Sequence, residues 1–217
     1  MRLLYIIFIL STSTFLLGQS DYETLKSSFI DSLIKKNLTE IIIFQTGTIG
    51  QRNVLSRDTV NGERRECFFN GEFLALWKEN GKLYAKKINQ CSQSDRLLLK
   101  SYNNLTSVAS NLSNLKKLKV ASDRDAIIIS GDTIEYSMSC DTNYVSIDHY
   151  QYKLLEVHTK VDSYNSGPIN KFIFCNPQTK TKAEVIDLQR RIEAIENIIN
   201  RNNIDDVIMH KTIKNWH

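Results

Sequence analysis

The chain has 217 residues, a formal net charge of +4 and 41% hydrophobic residues. This length suits one domain with its own core, and the small net charge excludes the clustered basic surface that nucleic-acid-binding domains usually carry. With only two prolines and eight glycines, the sequence also excludes a long low-complexity linker.

Residues 1–20 have the pattern of a secretory signal peptide. Arg2 supplies an early cation, and the apolar run from Leu3 to Leu17 is followed by small residues that suit cleavage. A bilayer span needs about 20 apolar residues, which is more than this run provides. We therefore predict a secreted or periplasmic protein, with residues 21–217 as a single domain. The alternative is an uncleaved N-terminal anchor, and no later segment is a candidate membrane span.

The mature chain begins with a predicted helix and a predicted strand. Apolar residues recur at 3-4-4 spacing and predict a helix that ends near Leu38. They are Tyr22, Leu25, Phe29 and Leu33. The β-branched run from Glu40 to Thr46 is typical of a strand buried on both faces. The polar residues 47–65 predict either a loop or an irregular strand through Asn53 to Val60.

A β-hairpin is the clearest local prediction. The stretch from Phe68 to Trp77 is rich in aromatic and aliphatic residues, and Asn80-Gly81 tolerates the two positive φ angles of a type I′ turn. Such a turn fixes the cross-strand register. It places Glu79 opposite Lys82, Trp77 opposite Tyr84 and Phe73 opposite Ile88.

Helix and strand patterns continue after the hairpin. The 3-4-3 spacing of Leu105, Val108, Leu112 and Leu115 predicts an amphipathic helix. Strands are predicted at Leu97–Lys100, at Ala126–Ser130 and, after a turn at Gly131-Asp132, at Thr133–Met138. A long strand is predicted at Tyr144–Lys160, with a bend near Asp148-His149. A further strand is predicted at Phe172–Cys175, after a turn at Gly167-Pro168.

The C-terminal region is predicted to be helical. A 3-4-3-4 seam predicts one helix whose apolar stripe is buried within its own chain. The seam consists of Val185, Leu188, Ile192, Ile195 and Ile199. Asp205 and Asp206 suit the first turn of a last helix. Together the elements predict an α+β fold, in which three or more helices pack on an antiparallel sheet.

The four cysteines are Cys67, Cys91, Cys140 and Cys175. Behind a signal peptide, an even number predicts two disulfides, whose three possible connectivities the sequence leaves open. Proximity in the hairpin favours Cys67 with Cys91. The turn register, however, places Cys67 opposite Ser94, so this pairing would need a bulge. Four reduced, buried thiols are the alternative, and no pair has the CxxC spacing of a zinc or redox site.

No strong catalytic signature is present, whether a GxSxG elbow, an HExxH helix or a P-loop. One neighbourhood could supply a nucleophile, a base and a group that orients the base. It consists of Ser139, Cys140, Asp141, Asp148, His149 and His158. Because His149 and His158 are nine positions apart, an unbroken strand would point them to opposite faces. A disulfide at Cys140 and surface imidazoles are the structural alternative.

A metal site is not predicted, and neither is a cofactor. Asp206 and His210 are four residues apart and would share one face of the predicted last helix, with His217 further along the tail. Two or three ligands on a chain terminus would bind a metal only weakly.

The leading functional prediction is an exported, non-enzymatic domain that binds a protein or a cell-envelope partner. It depends on the missing catalytic signatures, the small net charge and the extended strands, which leave an edge for pairing. The rival is a secreted hydrolase that uses Cys140 or Ser139 with His149 or His158. A small-ligand carrier would instead need a closed apolar cavity. The sequence leaves the oligomeric state open.

Overall fold

The computed structural model describes residues 22–49, 54–60, 63–68, 72–89, 91–100, 105–120, 126–135, 150–160 and 162–211. These residues form an α+β fold with a large antiparallel sheet, two smaller sheets and three helices. The helices are α1 (22–34), α2 (Leu105–Ala109) and α3 (Ala183–Arg201). The strands are β1 (Glu40–Ile49), β2 (Val54–Val60), β3 (Glu63–Phe68), β4 (Phe73–Glu79), β5 (Lys82–Ile88), β6 (Ser92–Ser94), β7 (Leu97–Leu98), β8 (Leu118–Val120), β9 (Ala126–Ile129), β10 (Asp132–Glu135), β11 (Tyr150–Thr159), β12 (Ser163–Asn165), β13 (Ile169–Asn170) and β14 (Met209–Lys211).

The large sheet is organised around β1. Its strands run in the order β12-β11-β1-β4-β5-β6-β14, with β13 beside β11 and β7 beside β5. Every pairing between its described strands is antiparallel. β1 lies between β11 and β4, and all its residues from Ile41 to Gln45 are buried. The predicted strand buried on both faces is thus confirmed, although β1 continues to Ile49.

The two faces of the large sheet carry separate apolar cores. On one face, α1 packs over alternate strand residues such as Ile43 and Trp77. On the other face, α2 and α3 pack over the intervening residues, such as Ile42 and Leu76. Because successive side chains of a strand point to opposite faces, the continuous apolar runs of β1 and β4 supply both cores.

The predicted hairpin is confirmed in its turn and in its register. β4 pairs with β5 in the register that the sequence predicts. The two turn residues, Asn80 and Gly81, have φ angles of 51° and 75°, as a type I′ turn requires. The strand that enters the turn begins at Phe73, however, and Phe68 belongs to β3.

β2 and β3 form a hairpin of their own within the region predicted as a loop or an irregular strand. Cys67 lies on β3, which pairs with β2 and not with β5. The register of the Asn80-Gly81 turn therefore does not extend to Cys67. A bond from Cys67 to Cys91 would therefore need no bulge in that hairpin, and the predicted need for one is wrong.

The second predicted helix is shorter than expected. α2 ends at Ala109, and Asn111 adopts a left-handed backbone conformation with φ of 49°. Leu112 and Leu115 are buried as their spacing predicts, but turns and a short 3-10 segment carry them instead of an α-helix.

Arg191 of α3 stabilises the C-terminal end of α2. It is only 6% exposed, and its guanidinium donates to the carboxylate of Asp187 and to four main-chain carbonyls. These carbonyls belong to Ser107, Val108, Ser110 and Asn111. The end of a helix leaves such carbonyls without an intrahelical partner. Arg191 therefore caps a neighbouring helix, a role its position off the apolar seam does not suggest.

Two features between β9 and α3 differ from the prediction. The turn between β9 and β10 uses Ser130 and Gly131, with φ angles of 51° and 96°, one residue earlier than predicted. The strand predicted at Phe172–Cys175 is wrong, because Lys171–Phe174 forms a 3-10 turn. The side chain of Asn170 accepts a hydrogen bond from the main-chain N of Phe172 and so caps this turn.

The C-terminal region confirms one predicted helix and contradicts the other. α3 buries all five residues of the predicted seam, which are Val185, Leu188, Ile192, Ile195 and Ile199. After α3, Asn203 adopts a left-handed conformation and turns the chain back toward the sheet. A 3-10 turn at Ile204–Asp206 then leads to β14, which pairs with β6. The last helix predicted after Asp205 is therefore wrong.

Candidate functional site

A groove lies between the large sheet and the C-terminal end of α3, and we refer to it as the α3 groove. Its volume of about 430 Å³ is within the range of about 300–1,000 Å³ that is typical of ligand sites. Its lining comes from β1, β4, β5, α3 and the residues beside them. The lining residues are Phe44, Thr46, Glu72, Leu74, Lys87, Glu196, Ile199, Asn200, Ile204 and Asp205.

The floor of the α3 groove is apolar. Phe44 and Leu74 lie opposite each other on β1 and β4. Ile199 completes the seam of α3, and Ile204 follows in the 3-10 turn. All four are buried. An apolar group that enters the groove would thus leave water for a hydrocarbon surface, which is favourable by about 25 cal/mol per Å².

The end of α3 that borders the groove is fixed by side-chain hydrogen bonds. The Nδ2 of Asn202 donates to the main-chain O of Ile198 at 2.9 Å. The Oδ1 of Asn202 accepts from the main-chain N of Lys100 at 3.1 Å. The helix end is therefore tied to the segment after β7, which holds Ile199 and Ile204 in place beside the sheet.

The rim of the groove is polar and carries two ion pairs. The Nζ of Lys87 lies 3.1 Å from the Oε1 of Glu72, and the Nζ of Lys153 lies 2.5 Å from the Oε1 of Glu196. Asp205 is exposed and, among the residues that the structure describes, has no ion-pair partner. The rim thus offers one carboxylate whose charge is not already neutralised.

The described lining of the α3 groove combines apolar and polar side chains. Its polar groups are the hydroxyl of Thr46, the ammonium of Lys87, the amide of Asn200 and the carboxylates of Glu72, Glu196 and Asp205. What the groove provides is an apolar floor with a few polar groups around it, which is the usual composition of a binding site.

A second group of polar side chains is buried under α1, on the opposite face of the sheet. The Nζ of Lys26 donates to the Oε1 of Glu156 at 2.5 Å and lies 2.9 Å from the Oε2 of Glu23. The Nε2 of His158 lies 3.5 Å from the other oxygen of Glu156 and makes no hydrogen bond within the described residues. Lys26 and Glu156 are each only 5% exposed.

The mutual attraction of these charges overcomes the effect of burial. Burial is the largest influence on Glu156 and by itself would raise its pKa, but His158 and Lys26 outweigh it and hold the pKa below its ordinary value. For Lys26, burial alone would lower the pKa, but Glu156 and Glu23 hold it above its ordinary value. Both groups therefore stay charged near neutral pH.

A chain of neutral hydrogen bonds continues this buried group. The Oη of Tyr22 donates to the Oε1 of Gln45 at 2.9 Å, and the Nε2 of Gln45 donates to the Oη of Tyr152 at 2.9 Å. Burial raises the pKa of both tyrosines. The ring of Tyr152 lies so close to Gly47 that a Cβ there would approach it to 2.6 Å. A side chain at position 47 would therefore force this ring to shift.

The buried polar group anchors α1 on β1 and β11. Lys26 and Tyr22 come from α1, and their partners Glu156 and Gln45 come from the two strands beneath it. Because a displaced α1 would leave these polar groups buried without partners, the contacts favour one position of the helix. We interpret the group as structural, and it lies on the other face of the sheet from the α3 groove.

Among the predicted catalytic residues, only His158 lies in the described part of the chain. It is on β11, beside Glu156 and close to the buried Lys26. The others lie outside the described residues, so the hydrolase stays an untested prediction. They are Ser139, Cys140, Asp141, Asp148 and His149.

The residues considered as a weak metal site in the C-terminal tail do not share a helix face. His210 lies on β14, and Asp206 ends the preceding 3-10 turn. The nearest carboxylate recorded for His210 is Asp95, with 3.5 Å between Nε2 and Oδ2. His217 lies outside the described residues. Within those residues, no group of three or more His, Cys, Asp or Glu side chains could hold a metal ion.

Cys91 and Cys175 are the cysteines whose side chains the structure describes, and neither is a free thiol. Cys91 follows the end of β5, and Cys175 follows the 3-10 turn after β13. The side chains of Cys67 and Cys140 lie outside the described residues. How the four cysteines pair therefore stays a prediction.

The residues that form the two sites were not predicted from the sequence. Lys26 falls four residues after Tyr22, on the apolar face of α1, and Glu156 falls within a run of strand-forming residues. A charged residue inside an apolar pattern is the signal that could have identified the buried pair. The lining of the α3 groove gives no such signal, because its residues extend from Phe44 to Asp205 along the chain.

No protein-family model matches the sequence, and comparisons with curated proteins and with solved structures found no match. None of the described helices combines the length and the apolar character needed to cross a membrane. The fold and the groove together define an α+β domain with a candidate ligand site at the end of its C-terminal helix.

Proposed function

We propose that the chain is an exported, non-enzymatic binding domain and that the α3 groove holds a segment of a protein partner. The observation that carries this proposal is the composition of the groove. Buried Phe44, Leu74, Ile199 and Ile204 form a floor for an apolar side chain, and a polar rim surrounds it. Interfaces commonly place an apolar anchor in such a pocket and keep polar contacts around its edge.

No observation favours the rival hydrolase. Cys140, Ser139 and His149 lie outside the described residues. His158 is beside Glu156, but one oxygen of that carboxylate is already held by the buried Lys26. The groove on the other face of the sheet has no histidine among the described residues that line it.

Export is part of the proposal and is supported by the signal-peptide pattern of residues 1–20, which lie outside the described residues. We also propose two disulfides, Cys67 with Cys91 and Cys140 with Cys175. β3, which carries Cys67, ends five residues before Phe73, and Phe73 is paired with Ile88 close to Cys91. Cys140 precedes β11 by ten residues, and β11 pairs with β13 close to Cys175.

Peptide mapping without reduction tests the disulfides. We expect one peptide pair that contains Cys67 with Cys91 and a second that contains Cys140 with Cys175. Any other pairing would contradict the proposed connectivity. Four freely alkylated cysteines in the denatured, unreduced protein would contradict the disulfides altogether.

Site-specific photocrosslinking tests the binding role. A benzoylphenylalanine at Asn200 would stand on the exposed rim of the groove, and one at Lys35 would stand beyond α1 on the opposite side of the sheet. In cells of the source organism, we expect a discrete crosslinked partner from position 200 and none from position 35. Equal crosslinking from both positions, or none from either, would contradict the groove as the partner site.

A further inference from the structure

We propose that the α3 groove recognises a cationic side chain, so that the partner segment is basic as well as apolar. This inference depends on the proposed binding function and adds the chemistry of the ligand to it. It is carried by the charges around the groove, by the end of α3 that borders it and by the apolar floor.

The charges on the rim favour a cation over an anion. The two lysines near the groove, Lys87 and Lys153, are both in ion pairs. An anionic ligand would have to share one of these ammonium groups with the carboxylate already paired to it. A cation meets Asp205, which lines the groove and has no ion-pair partner among the described residues. The carboxylate of Asp205 therefore offers a negative charge to a positively charged ligand.

The direction of α3 adds to this preference. Ile199 and Asn200 belong to the last turn of α3, so the groove lies at the C-terminal end of the helix. The C-terminal end of a helix carries a partial negative charge that favours cations. In α3 the carbonyls of Ile198, Ile199 and Asn200 accept hydrogen bonds from Asn202 and Asn203, so the dipole of the whole helix supplies this preference. Arg201, in the same turn, lines a separate cavity with Leu97 and Asn202. It is not part of the α3 groove lining.

The apolar floor suits the hydrocarbon part of the same ligand. Lysine and arginine side chains carry apolar stems that pack on hydrocarbon surface while the charged end stays in a polar environment. In the groove, such a stem would lie on Leu74 and Ile199, and the charged end would reach the rim at Asp205. A groove with this combination selects a basic, partly apolar segment.

Three small probes that share one alkyl chain test this inference. Hexylamine is cationic at pH 7, hexan-1-ol is neutral and hexanoate is anionic. Their binding is followed through the methyl resonances of Leu74, Ile199 and Ile204 in the folded protein. We expect hexylamine to bind about two- to fivefold more tightly than hexan-1-ol, as an exposed ion pair allows. Hexanoate should bind most weakly, and high salt should reduce the differences.

Asp205→Asn is the test variant and Asp206→Asn is its matched control, because Asp206 is exposed but does not line the groove. The preference for hexylamine should disappear in D205N and persist in D206N. Equal binding of the three probes to the unmodified protein would overturn the cation preference and leave the groove as an apolar site. If no probe shifted the floor resonances, both this inference and the proposed binding site would be wrong.

Discussion

Lys26 in the first helix and Glu156 in β11 form a buried ion pair with a 2.5 Å hydrogen bond, although 130 residues separate them in the chain. Removing one partner from a buried pair leaves the other charge without compensation, and this usually costs about 3–5 kcal/mol of stability. Lys26→Met should therefore lower the free energy of unfolding by about that amount. Urea denaturation measures it, and Lys35→Met, at an exposed position just beyond α1, is the control that should change little.

A double variant separates the ion pair from simple packing. Lys26→Met with Glu156→Leu replaces both charges by apolar groups, so no buried charge is left unpaired. It should recover most of the stability that the single variant loses. A double variant as unstable as Lys26→Met alone would show that the buried carboxylate is not the cause of the loss.

The same pair predicts how stability depends on pH. The pKa of Glu156 is lowered in the folded state, so its contribution is present above the unfolded value and is lost as pH falls through the lowered pKa. The protein should therefore lose stability as pH falls below about 4.5, the ordinary value for glutamate. Glu156→Gln should lose less over the same range of pH. Parallel acid profiles for the two proteins, measured by urea denaturation, would contradict this role.

Arg191 provides a prediction about the other face of the sheet. Arg191→Met removes the donors for the carbonyls at the end of α2. The hydrogen bond to Val108 is buried, whereas those to Ser107, Ser110 and Asn111 are partly buried. A buried acceptor without a partner costs about 1–3 kcal/mol, and we expect a loss of about that size in thermal or urea unfolding. Arg190→Met changes an exposed arginine on the same helix and should stay within about 0.5 kcal/mol of the unmodified protein. Similar effects at both positions would rule out the capping role.

The hairpin turn is tested at Gly81, where φ is 75° and a Cβ would meet no atom within 4 Å. A substitution there strains the backbone without a clash. Gly81→Val should cost about 1–3 kcal/mol because a β-branched residue disfavours positive φ. Gly81→Asn should cost less, since asparagine tolerates this conformation. Equal costs for the two variants would mean that backbone strain is not the reason.

Local patterns predicted the elements that local chemistry determines. β1, the hairpin at Asn80-Gly81 and α3 follow from periodicity and turn residues, and each is present where the sequence places it. Distant contacts account for several failures. α2 ends early next to Arg191, about 80 residues away in the chain. The segment predicted as a last helix joins the sheet edge beside β6 instead.

The candidate site could not be predicted from the sequence for the same reason. Phe44, Leu74 and Ile199 come from three elements that meet only after the sheet has formed and α3 has packed on it. Nothing in the local sequence around any of them marks a groove. The buried pair of Lys26 and Glu156 was accessible in principle, because a charge within an apolar stripe is unusual in a surface helix.

The most direct test of the account is crosslinking from position 200 when the groove has been filled. Thr46→Trp places a large ring in the groove from an exposed position on β1, and Lys78→Trp places the same ring on β4 outside it. We predict that the crosslinked partner is lost with Thr46→Trp and retained with Lys78→Trp, with both proteins folded. Equal crosslinking yields in the two backgrounds would contradict a partner segment bound in the α3 groove.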